Sequence, residues 1–196
     1  MAQRVVVAIE NNVPHTDSAW ILEHLKKVTQ GMKDNFEQLG FADVTSLVNR
    51  DWTKQADVVR NDPDNTGGCL VFFLKDMETL SLSIGAGSVA VSSGILWSAF
   101  TSDKSVRNAV RHLSKAFADL FNSKLALYII DSGWGPAERV TDSVIEGCAL
   151  ADVIAELQQS VQIEGSFRNK IDAVEFESKD SSKEYEPNAY FIDKFE

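Results

Sequence analysis

Apolar residues in this chain follow two patterns, short continuous runs and longer stretches with helical spacing. The continuous runs cover residues 5–9, 70–74 and 125–130, and each is typical of a strand that is buried on both faces of a sheet. Stretches with an apolar residue every three or four positions lie between these runs, as expected for helices that pack on a sheet. Because strands alternate with helices, we predict an α/β fold with three α/β/α layers around a mainly parallel central sheet.

Three longer helices are predicted from these stretches. Their apolar faces are formed by Ile21, Leu25, Val28, Met32, Phe36 and Leu39, by Val106, Val110, Leu113, Phe117 and Leu120, and by Val140, Val144, Cys148, Ala151 and Ile154. Ser102 and Asp103 precede the second helix, where a short polar side chain can cap the first turn. Residues 42–48 are predicted to form a short strand, residues 51–60 a short helix and residues 171–176 an edge strand.

Residues 79–102 contain no charged side chain, and a stretch of this length could span a membrane. Leucine alternates with serine before Ile84, and valine alternates with serine and alanine after residue 87. This alternation favours a β-hairpin insertion at about residues 79–92 over a membrane helix. Gly85, Gly87 and Ala90 also match the spacing of a dinucleotide-binding fingerprint. No helix start follows the second glycine, and a hairpin turn accounts for the same glycines.

The length of the chain favours one domain. With 196 residues, of which 44% are hydrophobic, it can form one sizeable core but is short for two. We predict a single domain over residues 1–177 and an acidic, mobile C-terminal tail over residues 178–196. Residues 189–195 restore aromatic character within this tail, and the pattern leaves open whether they dock on the domain or on a partner.

The net charge of −10 disfavours nucleic acid and membranes as partners, because binding to phosphate surfaces depends on Lys and Arg. A protein partner with a basic surface fits this charge better, although an excess of acidic residues can also serve solubility alone. Cys69 and Cys148 match neither a disulfide framework nor a metal-binding spacing, so we expect a cytoplasmic protein. The sequence does not predict an oligomeric state.

Polar residues follow the predicted strands at the ends where ligands bind to parallel sheets. Glu10 follows the strand predicted over residues 5–9, Lys75 and Asp76 follow that over residues 70–74, and Asp131 follows that over residues 125–130. If these ends meet at one edge, Glu10, Asp76 and Asp131 could bind a divalent metal such as Mg²⁺, and Lys75 could contact a phosphate. Polar residues also end the strands of α/β proteins that have no active site, so the pattern does not by itself predict one.

Three residues at the same predicted edge are catalytic candidates, namely Asp131, Ser132 and His15. Ser132 lacks the glycine two positions earlier that a nucleophile elbow uses. His15 is the one histidine expected in a loop at this edge, where it could act as a base. A solvated loop histidine is the simpler interpretation.

The order of predicted elements over residues 4–135 resembles that of caspase-like hydrolases, and the segment KLALYIIDSGWG looks like the strand and loop that carry their cysteine. This chain has Ser132 and Gly133 where that family has its cysteine. It has Lys75 and Asp76 where the family has His-Gly. The resemblance therefore implies an inactive relative.

The charge and the lack of a complete catalytic motif lead to a functional hypothesis. We expect a non-catalytic binding protein whose acidic surface engages a protein partner, in an immunity-like or regulatory role. The alternatives are a metal-assisted hydrolase or phosphate-handling enzyme with its site at the sheet edge, and an inactive caspase-like domain.

Overall fold

A computed structural model of the chain describes residues 4–13, 18–41, 44–54, 58–59, 68–74, 77–131, 142–160, 163–168, 173–174 and 189–195. The strands are β1 Arg4–Glu10, β2 Trp52–Lys54, β3 Val58–Val59, β4 Gly68–Leu74, β5 Met77–Ile84, β6 Ser88–Leu96, β7 Leu125–Asp131, β8 Ile163–Arg168, β9 Ala173–Val174 and β10 Ala189–Lys194. The helices are α1 Ser18–Gln30, α2 Lys33–Gln38, α3 Val44–Val48, α4 Trp97–Ser102, α5 Lys104–Leu120 and α6 Leu150–Ser160. None of these described helices has the length and hydropathy of a membrane span.

The strands form a 10-stranded sheet in which β1 has a central position. Seven neighbouring strands follow the order β2-β4-β5-β6-β1-β7-β10, and every adjacent pair among them is antiparallel. Strand β8 pairs in parallel with the far side of β10, β9 pairs with β8, and β3 pairs with β4. The fold is therefore α+β, and the predicted mainly parallel sheet is wrong.

The error in strand direction has a physical origin. The runs used for the prediction are buried as expected, since residues 5–9 and 126–130 are each at most 2% exposed. Helices cover the sheet on both faces, so these antiparallel strands carry the continuous apolar pattern that is usual for parallel strands. Burial depends on the layers above and below a strand and not on the direction of its neighbours.

One face of the sheet packs against helices α1 to α5. The odd-numbered residues Val5, Val7 and Ile9 of β1 belong to the core on this face. Each of the five helices contributes to the same core, through residues that include Ile21, Phe36, Val44, Phe100 and Phe117. The ring of Phe100 stacks on that of Tyr128 from β7, with centroids 5.2 Å apart. This core is the larger of the two in the described part of the chain.

The opposite face is covered by residues 142–160. Val6 and Ala8 of β1 point to this face, where they pack with Val144 and with α6. From α6, Leu150 and Val153 are each 1% exposed. This second core is smaller, and it fixes the 142–160 segment over the middle of the sheet.

Helix α5 forms as the sequence predicts. One carboxylate oxygen of Asp103 accepts hydrogen bonds from the backbone N–H groups of Ser105 at 2.7 Å and Val106 at 3.3 Å. These bonds satisfy two of the donors that a helix leaves unpaired at its first turn. The predicted start of this helix is therefore confirmed.

Several shorter elements differ from their predictions. Residues 44–48 form a helix instead of a strand, and residues 52–54 and 58–59 form strands instead of a helix. The first predicted helix is divided into α1 and α2, and the helix predicted around Cys148 is interrupted at Gly147, which has a φ of 82°. Short apolar runs fit either period, so tertiary packing decides these segments.

Strands β5 and β6 form a hairpin whose turn is residues 85–87. The hairpin is part of the main sheet and not an insertion, because β5 pairs with β4 and β6 pairs with β1. The backbone of its turn touches the loop before α6, since a Cβ atom at Gly85 would lie 2.2 Å from the Cα of Gly147. Strand β6 begins at Ser88, where a dinucleotide-binding fingerprint would need a helix.

The aromatic C-terminal segment belongs to the sheet. Residues 189–194 form β10 between β7 and β8, and Tyr190, Phe191 and Asp193 are buried there. The segment therefore docks on its own domain, which the sequence left undecided. Residues 178–188 of the predicted tail lie outside the described residues.

The contact between Gly85 and Gly147 leads to a prediction about stability. Gly85→Ala is expected to lower the free energy of unfolding by about 3 kcal/mol, because the new methyl group overlaps the backbone of Gly147. Gly31→Ala is the control, since a Cβ atom there meets its nearest neighbour at an ordinary 3.5 Å. Urea denaturation of both variants measures the effect, and equal losses would show that the backbones are not packed in this way.

Candidate functional site

The register of β1 and β7 decides whether the predicted metal-binding carboxylates meet. The two strands are antiparallel, with Arg4 paired to Asp131 and Ile9 paired to Ala126. Glu10 therefore lies beside the start of β7, whereas Asp131 lies beside the start of β1. At about 3.4 Å per residue, the two carboxylates are roughly 20 Å apart along the strands.

A single metal ion cannot contact both carboxylates, because oxygen ligands bind divalent metals within about 2.6 Å. The structure thus does not bring Glu10 and Asp131 together. No group of three or more His, Cys, Asp or Glu side chains in the described ranges could hold a metal ion. The other candidates of the predicted edge lie outside the described residues, so their roles stay predictions; they are His15, Lys75, Asp76 and Ser132.

A small pocket lies at the end of the sheet that carries Glu10. Its volume is about 250 Å³, and it is lined by Lys115, Asp119, Asn122, Ser123, Lys124 and Phe195. The side chain of Asn12 donates to the carbonyl of Asn122 at 3.1 Å, and the backbone N–H of Glu10 donates to the Ser123 hydroxyl at 3.2 Å. These bonds tie the loop after β1 to the turn between α5 and β7.

The lining of this pocket does not form a catalytic arrangement. Lys115 makes an ion pair with Asp119 one helical turn later. The Ser123 hydroxyl donates to the carbonyl of Leu125 at 2.7 Å, in addition to accepting from Glu10. The serine is thus occupied by the backbone, and the charged pair is matched. The pocket therefore favours no particular class of substrate.

A buried ion pair joins helix α5 to the last strand. Arg111 donates to both carboxylate oxygens of Asp193, from Nε at 2.7 Å and from Nη2 at 2.9 Å. Asp193 is 2% exposed, and the hydroxyl of Tyr128 donates to the same carboxylate at 3.3 Å. Charge-assisted bidentate pairs are among the stronger hydrogen bonds in proteins. The geometry favours a structural role, since these three groups satisfy one another.

The charge states of this network follow from its surroundings. Burial raises the pKa of the Tyr128 phenol well above its ordinary value, and the carboxylate of Asp193 acts in the same direction. For Arg111, burial acts to lower the pKa, but the hydrogen bond and the charge of Asp193 raise it above its ordinary value. At neutral pH the tyrosine is therefore neutral and the arginine charged.

Sequence reasoning missed this network because its members are far apart in the chain. Arg111 and Asp193 are separated by 82 positions. One local signal existed, since Phe191, Asp193 and Phe195 alternate with the period of a strand and would share one face. An acidic residue on an apolar strand face needs a partner, because a buried charge without one is strongly unfavourable.

Acidic side chains are concentrated on the layer that covers the other face of the sheet. Residues 142–160 contain four acidic residues and no basic one, and we call Asp142, Glu146, Asp152 and Glu156 the acidic surface. The two aspartates are exposed and the two glutamates partly exposed. Burial and then the charges of Glu146, Asp152 and Glu156 raise the pKa of the Cys148 thiol. Three carboxylates therefore lie near one point of this layer.

The acidic surface is held in place by backbone contacts. The N–H of Gly87 donates to the carbonyl of Gly147 at 2.9 Å, and the hydroxyl of Ser88 donates to the carbonyl of Val144 at 3.2 Å. The close approach of Gly85 to Gly147 allows these bonds to form. The carboxylates thus stand on a layer that is packed against the sheet and bonded to the hairpin turn.

Helix α5 on the opposite side of the sheet is rich in basic residues. Helix α5 carries Lys104, Arg107, Arg111 and Lys115 against a single acidic residue, Asp119. The helices on that side also carry Glu23, Asp34 and Glu37, so both signs of charge are present there. The 142–160 layer differs because all of its charged side chains are acidic.

Comparison with known proteins gives no relative: no family model, no curated protein and no solved structure matches the chain. The resemblance to caspase-like hydrolases is therefore not supported by a family match. The order of elements on which it rested also differs from the prediction, because three helices follow β1 before the next strand.

The buried ion pair generates a prediction about stability. Asp193→Asn keeps the size of the side chain but leaves Arg111 buried without an opposite charge, so the free energy of unfolding should fall by about 3–5 kcal/mol. As a control, Glu23→Gln breaks the exposed pair with Lys27 and should have no measurable effect. Urea denaturation at pH 7 measures the free energy of unfolding of both variants and of the wild type. A small loss in Asp193→Asn, similar to that of the control, would contradict the buried pair.

The raised pKa of Tyr128 predicts a loss of stability at high pH. Above pH 10 the unfolded chain releases the phenolic proton that the folded protein retains, so unfolding becomes more favourable as pH rises. Until the folded pKa is reached, this group lowers the free energy of unfolding by about 1.4 kcal/mol per pH unit.

Tyr128→Phe isolates this effect because phenylalanine has no proton to release. Urea denaturation at pH 9, 10 and 11 should show that the stability advantage of the wild type over the variant decreases with pH. An advantage that stays constant over this range would show that Tyr128 titrates normally in the folded protein.

Proposed function

We propose that this protein is a non-catalytic cytoplasmic binding protein that engages a basic protein partner through its acidic surface. The observation that carries the proposal is the charge of residues 142–160, which hold four carboxylates and no basic side chain on one packed layer. A carboxylate surface of this kind attracts a basic patch and repels nucleic acid and anionic membranes. An immunity-like or regulatory role, in which the protein covers a basic site of its partner, fits this chemistry.

The rigid attachment of the layer supports a role in binding. Val144, Leu150 and Val153 are buried against the sheet, and the loop between them is bonded to the hairpin turn. Because the backbone of this layer is already ordered, binding of a partner would cost the entropy of the side chains but not that of ordering the backbone. Complementary charges also accelerate the encounter between two proteins.

The competing enzyme hypothesis loses one pair of its predicted metal ligands. It needed Glu10 and Asp131 at one edge, whereas the register of β1 and β7 separates them by the length of the strands. The pocket beside Glu10 holds a matched ion pair and a serine bonded to the backbone. No specific observation favours hydrolysis or phosphate handling over binding.

A charge-neutralised variant tests the proposal. The protein is first used to capture partners from its native cells, and the affinity of a captured partner is then measured by titration at low and at physiological salt. Changing the four acidic-surface residues to their amides should weaken the complex about tenfold or more at low salt and reduce its salt dependence. Those substitutions are Asp142→Asn, Glu146→Gln, Asp152→Asn and Glu156→Gln.

A matched variant controls for net charge. Neutralising Glu23, Asp34 and Glu37 on α1 and α2, together with Asp51 just before β2, removes the same number of negative charges from outside the acidic surface. The control should bind like the wild type. Equal weakening by both variants would attribute binding to net charge alone, and turnover of a small substrate by the purified protein would contradict a non-catalytic role.

A further inference from the structure

Strand β10 is inserted between two strands that are not its neighbours in the chain. It pairs in antiparallel with β7, from Phe191 opposite Tyr128 to Lys194 opposite Leu125. On its other side it pairs in parallel with β8. Neither connection is a hairpin, so β10 occupies a slot whose walls are formed by earlier parts of the chain. We call this the C-terminal slot, bounded by β7, β8 and the α4–α5 layer.

Alternate side chains of this segment contact the α4–α5 layer one after another. The ring of Phe191 lies 5.7 Å from that of Trp97. Asp193 is held by Arg111 through two hydrogen bonds. Phe195, which follows the strand, has Lys115 Nζ 5.9 Å from its ring centroid. The layer thus contacts every second residue of the segment, with an aromatic ring at Phe191, a buried cation at Asp193 and a more exposed cation at Phe195.

The spacing of the two cations matches the spacing of the strand. Arg111 and Lys115 are four residues apart on α5, which corresponds to about 6 Å along a helix. Asp193 and Phe195 are two residues apart, which corresponds to about 7 Å along a strand. Successive cations on one face of α5 therefore meet successive side chains on one face of the C-terminal segment.

From this arrangement we infer that the C-terminal slot is a peptide-binding site for an extended segment of the pattern aromatic-x-Asp-x-aromatic, which the chain fills with its own C-terminal strand. Main-chain pairing to β7 and β8 supplies affinity for any extended segment, and the contacts at alternate side chains supply selectivity. The occupant in trans is a polypeptide segment with the same pattern that displaces β10 by strand exchange.

The buried arginine is the main source of selectivity in this site. Arg111 is shielded by the strand it binds, with its side chain 11% exposed and that of Asp193 2% exposed. A segment that lacks the acidic residue would leave this cation buried without its partner, which is more unfavourable than the loss of one neutral hydrogen bond. The affinity of a competing segment should therefore depend most on whether it carries an aspartate at the position opposite Arg111.

This inference is independent of the proposed function. The contacts of β10 with Arg111, Trp97 and Lys115 lie on the face of the sheet covered by α1 to α5, whereas the acidic surface lies on the opposite face. A failure of one proposal leaves the other untouched.

Peptide exchange with the full-length chain tests the site. The probe is a fluorescein-labelled synthetic peptide, AYFIDKFE, that copies residues 189–196, and the matched peptide carries Asp193→Asn. The receiving protein is the full chain with Phe195→Ala, which weakens the resident strand at a partly exposed position and leaves Arg111 in place. Fluorescence anisotropy should show that the wild-type peptide binds about tenfold or more tightly than the matched peptide.

A second receiver separates the site from nonspecific binding. In the full chain with Arg111→Met and Phe195→Ala, the preference for the wild-type peptide should be lost or reversed, because its aspartate would be buried without a cation and only the Tyr128 hydroxyl would remain to bond it. Circular dichroism confirms that each receiver is folded. If this double variant does not fold, the full chain with Lys115→Gln and Phe195→Ala is used in its place. That receiver keeps Arg111, so it should retain the preference for the wild-type peptide.

Two results would overturn the inference. Equal affinity of both peptides for the Phe195→Ala receiver would show that Arg111 does not select the bound segment. No binding of the wild-type peptide to this folded receiver at millimolar concentration would show that β10 is a permanent strand and that the slot does not accept a segment in trans.

Discussion

The antiparallel pairing of β1 with β6 and β7 is the constraint on which the other features of this protein depend. It directs Val5, Val7 and Ile9 toward helices α1 to α5, and Val6 and Ala8 toward the layer that bears the acidic surface. The same register sends the two ends of β1 to opposite edges, each with its own loops. A reversal of either neighbour would place different residues at each edge and bring together a different set of polar side chains.

Charge is used in two different ways on the two faces of this sheet. Between α5 and β10 a single carboxylate is buried and matched by Arg111, and because both groups lose their hydration there, the pair contributes less net stability than its hydrogen bonds alone would suggest. On the other face the carboxylates stay in contact with water, and like charges near one another oppose folding slightly. The packed glycines and the buried side chains of α6 offset that repulsion.

The features that could be predicted from the sequence are those that depend on neighbouring residues. The buried runs of β1 and β7, the β5–β6 hairpin and the Asp103 cap of α5 each arise from a contiguous pattern. Strand direction could not be predicted in this way, because a run buried on both faces looks the same in either direction. The break at Gly147 was also missed, since the need for glycine there arises from a turn more than fifty positions earlier in the chain.

The buried pair of Arg111 and Asp193 could have been predicted from the sequence only in part. An acidic residue between two aromatic residues at strand spacing implies a burial site with a cation, but the chain has 19 Lys and Arg residues from which to choose. Residues four positions apart on a helix lie on one face, and α5 has Arg107, Arg111 and Lys115 at this spacing on a helix whose apolar face was already recognisable. The spacing leaves these three candidates on α5 and does not by itself select Arg111. What the sequence lacks is the position of β10 in the sheet, since a strand whose neighbours are both distant in the chain leaves no local trace of its pairing.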